Sequence, residues 1–216
     1  MKWPEKGKVK TRLTAALGED AVCELYKCFV EDLLNTVALT GIRPLIAFHP
    51  EGAEDRISAW LGSGYSYVPQ VGADLGARMK NAFSQAFAQG LSQAVLIGSD
   101  FPDLPAAIIK DAFSSLKRND AVIGPARDGG YYLIGFSRKA FLPRIFDDIP
   151  WSTDAVFART MDILAGEGLK VRQVAIWSDI DGPGDLSGLM ERNSESTSVC
   201  SCTIACLRRH DMLRQP

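Results

Sequence analysis

Short, wholly apolar runs alternate along this chain with longer stretches of helical period, and that alternation restricts the fold more than any other feature. Residues 44–48 (PLIAF) form one such run, closed by His49 and Pro50, and residues 94–98 (AVLIG) form another. Runs this short and this continuous read as strands buried on both faces. Between Gly18 and Leu39 the apolar residues, Leu25, Phe29 and Leu33 among them, return in steps of three and four, which predicts one long amphipathic helix. A shorter helix is expected around Trp60 and Leu61. Residues 74–87 repeat the helical stripe, and Gly90 is a plausible stop. Pro105 suits the first turn of the helix that follows. Residues 121–124 and 131–136 read as strands separated by a polar, Gly-rich turn. Thr153 is the expected N-cap of a helix ending near Gly166, residues 169–176 a further strand, and Pro183 the opening of a short last helix. Strands and helices in this order imply a three-layer α/β/α fold with a mostly parallel sheet.

With 216 residues, 46% hydrophobic and 23% charged, the chain suits one ordinary domain, expected over residues 1–192. From Asn193 the pattern fails, and residues 193–216 are expected to be an irregular tail. A net charge of −2 and a pI near 5.7 provide no general attraction to nucleic acid, so any anion site must be local. No stretch approaches the roughly 18 apolar residues of a membrane span, and residues 1–10 have no apolar run of the secretory kind. Five cysteines without such a leader suggest reduced thiols and a cytoplasmic location. Cys200, Cys202 and Cys206 have a Cys-X-Cys-X3-Cys spacing, but only His210 offers itself as a fourth metal ligand, and a disordered or non-native tail is the preferred reading.

Four segments carry candidate chemistry. Gly7, Lys8, Lys10, Thr11 and Arg12 put a glycine and three cations into six residues. Lys8 and Lys10 are point charges and Arg12 can bind two phosphate oxygens at once, although a solvated basic N-terminus would look the same. Asp100 directly follows the strand at 94–98, and strand carboxyl ends are where open parallel sheets bind ligands. It therefore suits a hard cation such as Mg or Mn. Asp103 is a second ligand or, preferably, the cap of the helix near Pro105. Asp128, Gly129, Gly130 and Tyr131 form either a plain tight turn or a loop lying against a substrate, with a ring as one wall. Asp181 either completes a metal site with Asp100 or caps the last helix. Trp151 belongs to a substrate-side loop or, by default, is an aromatic plug.

The stretches PEKGKVKTRL, ADLGARM, IGSDFPDLP, GPARDGGYYLIG, PWST and DIDGPGDL, spanning residues 4–186, together resemble a family of GT-A-like glycosyltransferases. That family belongs to the nucleotide-diphospho-sugar transferase superfamily, and some members are linked to radical SAM proteins and arsenosugar biosynthesis. Six motifs in order are hard to obtain by chance. Molybdenum-cofactor and phospholactate nucleotidyltransferases share the outline more loosely.

The resemblance implies a nucleotide-diphospho-sugar transferase (GT-A-like) fold and a nucleotide bound by the basic loop. It implies Mg or Mn on Asp100 with Asp181 as partner, and a small-molecule acceptor near residues 128–131, with Trp151 on the substrate side. Lys10 and Arg12 would stabilise the departing diphosphate, and Asp128 would act as general base. Sugar transfer from a nucleotide sugar is the first reading. Nucleotidyl transfer from an NTP, with release of pyrophosphate, is the alternative, and a degenerate nucleotide-binding module is a third. One departure stands out. Relatives have an apolar strand before the basic loop, and Met1, Lys2 and Trp3 are too few to supply it. The first strand is therefore expected to be missing, which points to a truncated chain or a misassigned start. Its neighbours would lose ladder bonds at a net cost of about 1 kcal/mol each.

Overall fold

The computed structural model describes residues 1–194 and 200–210. In chain order its helices and strands are α1 (Thr11–Leu17), α2 (Glu19–Ala38), β1 (Leu45–Phe48), α3 (Glu54–Leu61), β2 (Ser66–Pro69), α4 (Leu75–Ala88), β3 (Gln93–Ile97), α5 (Ala106–Ser115), β4 (Ala121–Pro125), β5 (Tyr131–Ser137), α6 (Val156–Gly166), β6 (Val171–Gln173), α7 (Pro183–Arg192) and α8 (Ser201–Arg209). The class is α/β, as the alternation of apolar runs requires. Contacts group these elements into two compact units, each with its own core.

The first unit comprises Met1–Tyr67, Ser99–Ala106 and the described residues from Asp179 onward. Its centre is α2, whose Leu25 and Phe29 are fully buried and pack with Leu13 of α1, Ile180, and Leu189 of α7. Gly18, at φ 77, separates α1 from α2; the stripe that begins at Gly18 gives α2 and not the short helix before it. Strand β1 pairs with β2. On β1 there is also a stub of pairing where the first strand was expected to be missing. Lys2 makes a parallel bridge with His49, the Trp3 amide donates to the His49 carbonyl at 2.7 Å, and the His49 amide donates to the Met1 carbonyl at 3.1 Å.

Helix α8 lies within the stretch expected to be an irregular tail from residue 193. Nine residues make only about two and a half turns, too few to display a period. Even so, Thr203, Cys206 and Leu207 are buried there and contribute to the first core. Residues 195–199 and 211–216 of that stretch lie outside the described residues.

The second unit comprises Val68–Gly98 and Ala107–Ser178 and contains a four-stranded sheet in the order β3-β5-β4-β6. Strands β3, β4 and β6 share one direction, and β5 is inserted antiparallel between β3 and β4. Only residues 126–130 join β4 to β5, far fewer than the dozen or so that a parallel crossover needs, so this pair must be a hairpin. Ala121, Ile123, Ile134 and Phe136 face a core shared with Phe83 and Phe87 of α4 and Leu164 of α6. Two local readings change. Strand β6 spans three residues rather than eight. Thr153 stops short of capping α6, because its hydroxyl donates to the Pro150 carbonyl at 2.7 Å and accepts from the Ala155 amide at 3.3 Å.

Candidate active site

Two buried residues, Val9 and Leu13, anchor the basic loop to the first core. Between them the chain turns sharply. Lys10 adopts the left-handed conformation (φ 44, ψ 45), and its carbonyl accepts from the Leu13 amide at 2.9 Å as α1 begins. The Lys10 side chain is directed inward and is only 8% exposed. Gly7 also has positive φ, and a Cβ there would lie 3.2 Å from Glu19 Oε1. The other cations behave differently. Lys8 pairs with Glu5 at 2.9 Å on the surface, Thr11 opens α1, and Arg12 is largely exposed but extends its guanidinium to Asp181.

Three remote stretches of chain meet at Lys10. Its Nζ lies 3.1 Å from Asp100 Oδ2 and 3.6 Å from Asp181 Oδ1, while Arg12 Nη1 bonds the other oxygen of Asp181. The two carboxylates are held together by backbone as well, since the Ile180 amide donates to the Asp100 carbonyl at 3.0 Å. Asp181 does not cap α7. That role falls to Asp185, whose Oδ2 accepts from the amides of Asp181 (3.0 Å) and Gly182 (2.7 Å), leaving the Asp181 carboxylate for the cations. The Asp103 carboxylate accepts from Arg192 Nε at 2.9 Å and Asn193 Nδ2 at 3.2 Å.

The donors here are carboxylate oxygens, the ligand type of a hard divalent cation. Two carboxylates converge on one point, and a positive group, the Lys10 ammonium, is what they hold there. Such oxygen donors suit Mg or Mn rather than a softer ion.

Tyr26 belongs to this neighbourhood, and sequence reasoning did not find it. Its hydroxyl is 3.0 Å from Ser99 Oγ and accepts from the Lys2 amide at 3.0 Å. Burial, and then the charge of Asp100, push its phenol up to about 12. In the sequence Tyr26 is one more member of the α2 stripe, and nothing there signals that its hydroxyl reaches Ser99.

The remaining candidates belong to the second unit. Asp128 Oδ1 accepts from the Gly130 amide at 2.9 Å, and the Ala126 amide donates to the Gly130 carbonyl at 3.0 Å, closing the turn. Gly129 has φ +88, and a Cβ there would fall 2.3 Å from the Asp154 carbonyl oxygen, so only glycine fits. The Tyr131 hydroxyl is buried beside Thr160, and burial raises its pKa. Its ring meets Trp151 edge to face at 6.4 Å. Trp151 is half-buried and packs so closely on α4 that a Cβ on Gly76 would lie 2.6 Å from its Nε1, yet it also lines a surface cleft of about 300 Å³ with Asp74 and Lys80. Tyr132 is core, its hydroxyl donating to the Ala175 carbonyl at 2.7 Å.

The family model described as "Uncharacterized protein conserved in bacteria (DUF2064)" matches residues 33–153, more than half of the chain. The chain belongs to this family. A protein from Desulfovibrio desulfuricans G20, provisionally assigned as a nucleotide-diphospho-sugar transferase, has a crystal structure similar to it. The two are 40% identical with a TM-score of 0.93, over 99% of this chain and 93% of that one. More distant structures share the fold. CMP:2-keto-3-deoxy-manno-octonic acid synthetase, complexed with CTP, is 9% identical with a TM-score of 0.53, over 77% of this chain and 88% of its own. Rv0371c from Mycobacterium tuberculosis H37Rv, complexed with manganese, is 17% identical with a TM-score of 0.53, over 76% of this chain and 85% of its own. No curated protein matches the chain. This member of the DUF2064 family thus has the fold of nucleotide-diphospho-sugar transferases. Among the described residues, no helix of this member is long and apolar enough to cross a membrane.

Proposed function

We propose that this protein is a metal-dependent transferase that binds a nucleotide sugar through its diphosphate and moves the sugar to a small-molecule acceptor. The observation behind this reading is the meeting of Asp100 and Asp181 at the Lys10 ammonium, with Arg12 on the outer carboxylate. Bound Mg or Mn would supply positive charge for the phosphate oxygens. Lys10 is held at the point where two carboxylates converge, so an incoming diphosphate finds a cation already in place. Arg12 has the exposure and the planar fork to engage phosphate. Gly7, Lys8 and Thr11 line the remainder of the nucleotide loop in this proposal, Gly7 because its backbone permits close approach.

The acceptor side is assigned to Asp128, Gly129, Gly130, Tyr131 and Trp151. One Asp128 oxygen builds the turn, and the other is proposed to take the proton of an acceptor hydroxyl. A second reading is nucleotidyl transfer from an NTP, favoured by the fold shared with a synthetase seen with CTP.

Thermal unfolding of the full chain against nucleotide sugars and NTPs, with and without Mn or Mg, tests both readings. A metal-dependent stabilisation by nucleotide sugars that is lost in Asp100→Ala is the expected outcome. Stabilisation by NTPs alone, with pyrophosphate released on turnover, would replace sugar transfer by nucleotidyl transfer. A folded protein that responds to neither class would refute both.

A further inference from the structure

Away from Lys10, the seam between α2 and α8 in the first unit carries a second concentration of reactive side chains. Glu24, Cys28 and Glu31 lie on one face of α2 at steps of four and three, and Cys202, Cys206 and His210 follow α8 and its C-cap at steps of four. Donor atoms of Cys28, Glu31 and Cys202 all lie within 4.8 Å of one another, as do those of Glu24, Cys206 and His210. Cys28 joins the two groups through hydrogen-bond contacts with both Cys202 and Cys206. The Cys202 thiol donates to Glu31 Oε2 at 3.3 Å.

The surroundings hold these groups in place. Asp32 is 3% exposed and accepts from the amides of Cys202 (3.0 Å) and Thr203 (2.8 Å), which fixes the start of α8 against α2. The Trp60 indole donates to Glu31 Oε1 at 2.7 Å and leaves Oε2 toward the thiols. Supporting bonds of this kind orient metal ligands in general. Packing alone does not account for the seam, because a buried cysteine serves as a small apolar residue and needs no carboxylate beside it.

We propose that this seam binds one thiophilic divalent cation of the zinc type through Cys28, Cys202, Cys206 and a carboxylate oxygen of Glu31. Three sulfurs and one oxygen, with Cys206 joining the group through Cys28, are the donor set of a structural site rather than a catalytic one. Its soft donors distinguish it from Asp100 and Asp181, whose oxygens suit hard cations. On binding, the three thiols release their protons to solvent and the cation gains three thiolates, with no change of oxidation state. The consequence is a clamp that ties α8 to α2. The Cys-X-Cys-X3-Cys spacing alone misleads, because Cys200 is not among the ligands and the third thiol comes from Cys28, on a helix remote in sequence.

The test uses the full chain, stripped of metal under reducing conditions and titrated with Zn(II) against a chromophoric chelator. Co(II) is added in parallel to detect thiolate-to-metal absorption. Because Cys28 and Cys206 are buried, the half-buried Cys202 and Glu31 supply the variants, with circular dichroism confirming the fold. The expected result is uptake of about one equivalent, with thiolate absorption. Binding should weaken roughly 100-fold or more in Cys202→Ser and about tenfold in Glu31→Gln, and should be unchanged in Glu24→Gln and Cys23→Ser. Four outcomes would overturn the proposal: no uptake by the reduced protein, uptake indifferent to Cys202→Ser, loss of uptake in Asp100→Ala, or a Cys28 disulfide with no affinity for Zn(II) after reduction.

Discussion

In the first unit, charged side chains from three distant stretches of chain, around residues 10, 100 and 181, meet at one ammonium group. In the second, the candidate loop at residues 126–130 is shaped by its own backbone, through a positive-φ glycine and an aspartate that caps its turn. The first arrangement concentrates charge and depends on long-range ion pairs. The second presents a rigid surface and depends on the absence of a Cβ. Substitutions should therefore act on binding and catalysis at the first site and on stability or acceptor chemistry at the second.

The largest expected effect is at Asp100. Asp100→Ala should lower turnover on the order of 1000-fold while circular dichroism stays native, because it removes a pre-positioned charge from the reacting centre. A loss of only a few-fold would detach the cluster from catalysis. Next is Asp128→Asn, which can keep the turn bond to Gly130 but cannot take a proton. Activity should fall about 100-fold with the urea midpoint unchanged, and full activity would reduce the loop to a turn. Gly129→Ala should cost about 2–3 kcal/mol in urea unfolding, since its new methyl meets the Asp154 backbone at a φ that disfavours alanine. A neutral result would mean the loop is more plastic than its packing implies. Arg12→Ala should weaken nucleotide binding roughly tenfold, measured by calorimetry, with stability nearly intact, because the side chain is exposed.

The smallest effect is one of pH. Burial raises the Asp32 carboxyl above 3.8 in the folded protein. A group raised on folding contributes stability that is fully present below its unfolded value and is lost as pH rises through its folded value. Stability should therefore decline slightly as pH rises from about 3.8 through the Asp32 titration. Asp32→Asn, which keeps an acceptor for only one of the two α8 amides and so is less stable throughout, should flatten that decline, and an unchanged slope would assign it to another group.

Much of this contrast was legible beforehand, for local reasons. The glycine pair, the aspartate before it and the flanking apolar strands identify the turn at 128–130, since a turn is decided by residues close in sequence. The pairing around Lys10 was legible only as a set of candidates. Arg12 and Asp181 are 169 residues apart, and no periodicity carries information over that distance. The choice between Asp181 as ligand and Asp181 as cap was undecidable in sequence because Asp185, one turn later, can cap equally well. The antiparallel entry of β5 could have been read from the five-residue connection after β4. Helix α8 is too short for its period to emerge.

The sequence by itself determined the class of fold, the position of most helices and strands, the family and the residue types available for anion and cation binding. These follow from hydrophobic periodicity, chain punctuation and side-chain chemistry, all of which act over a few residues. Only the tertiary structure decided which carboxylates meet Lys10, which aspartate caps α7, that Lys2 pairs beside β1 and that Cys28 meets the thiols of α8. Those outcomes depend on where the packed core brings distant backbone together, and that is a property of the folded chain.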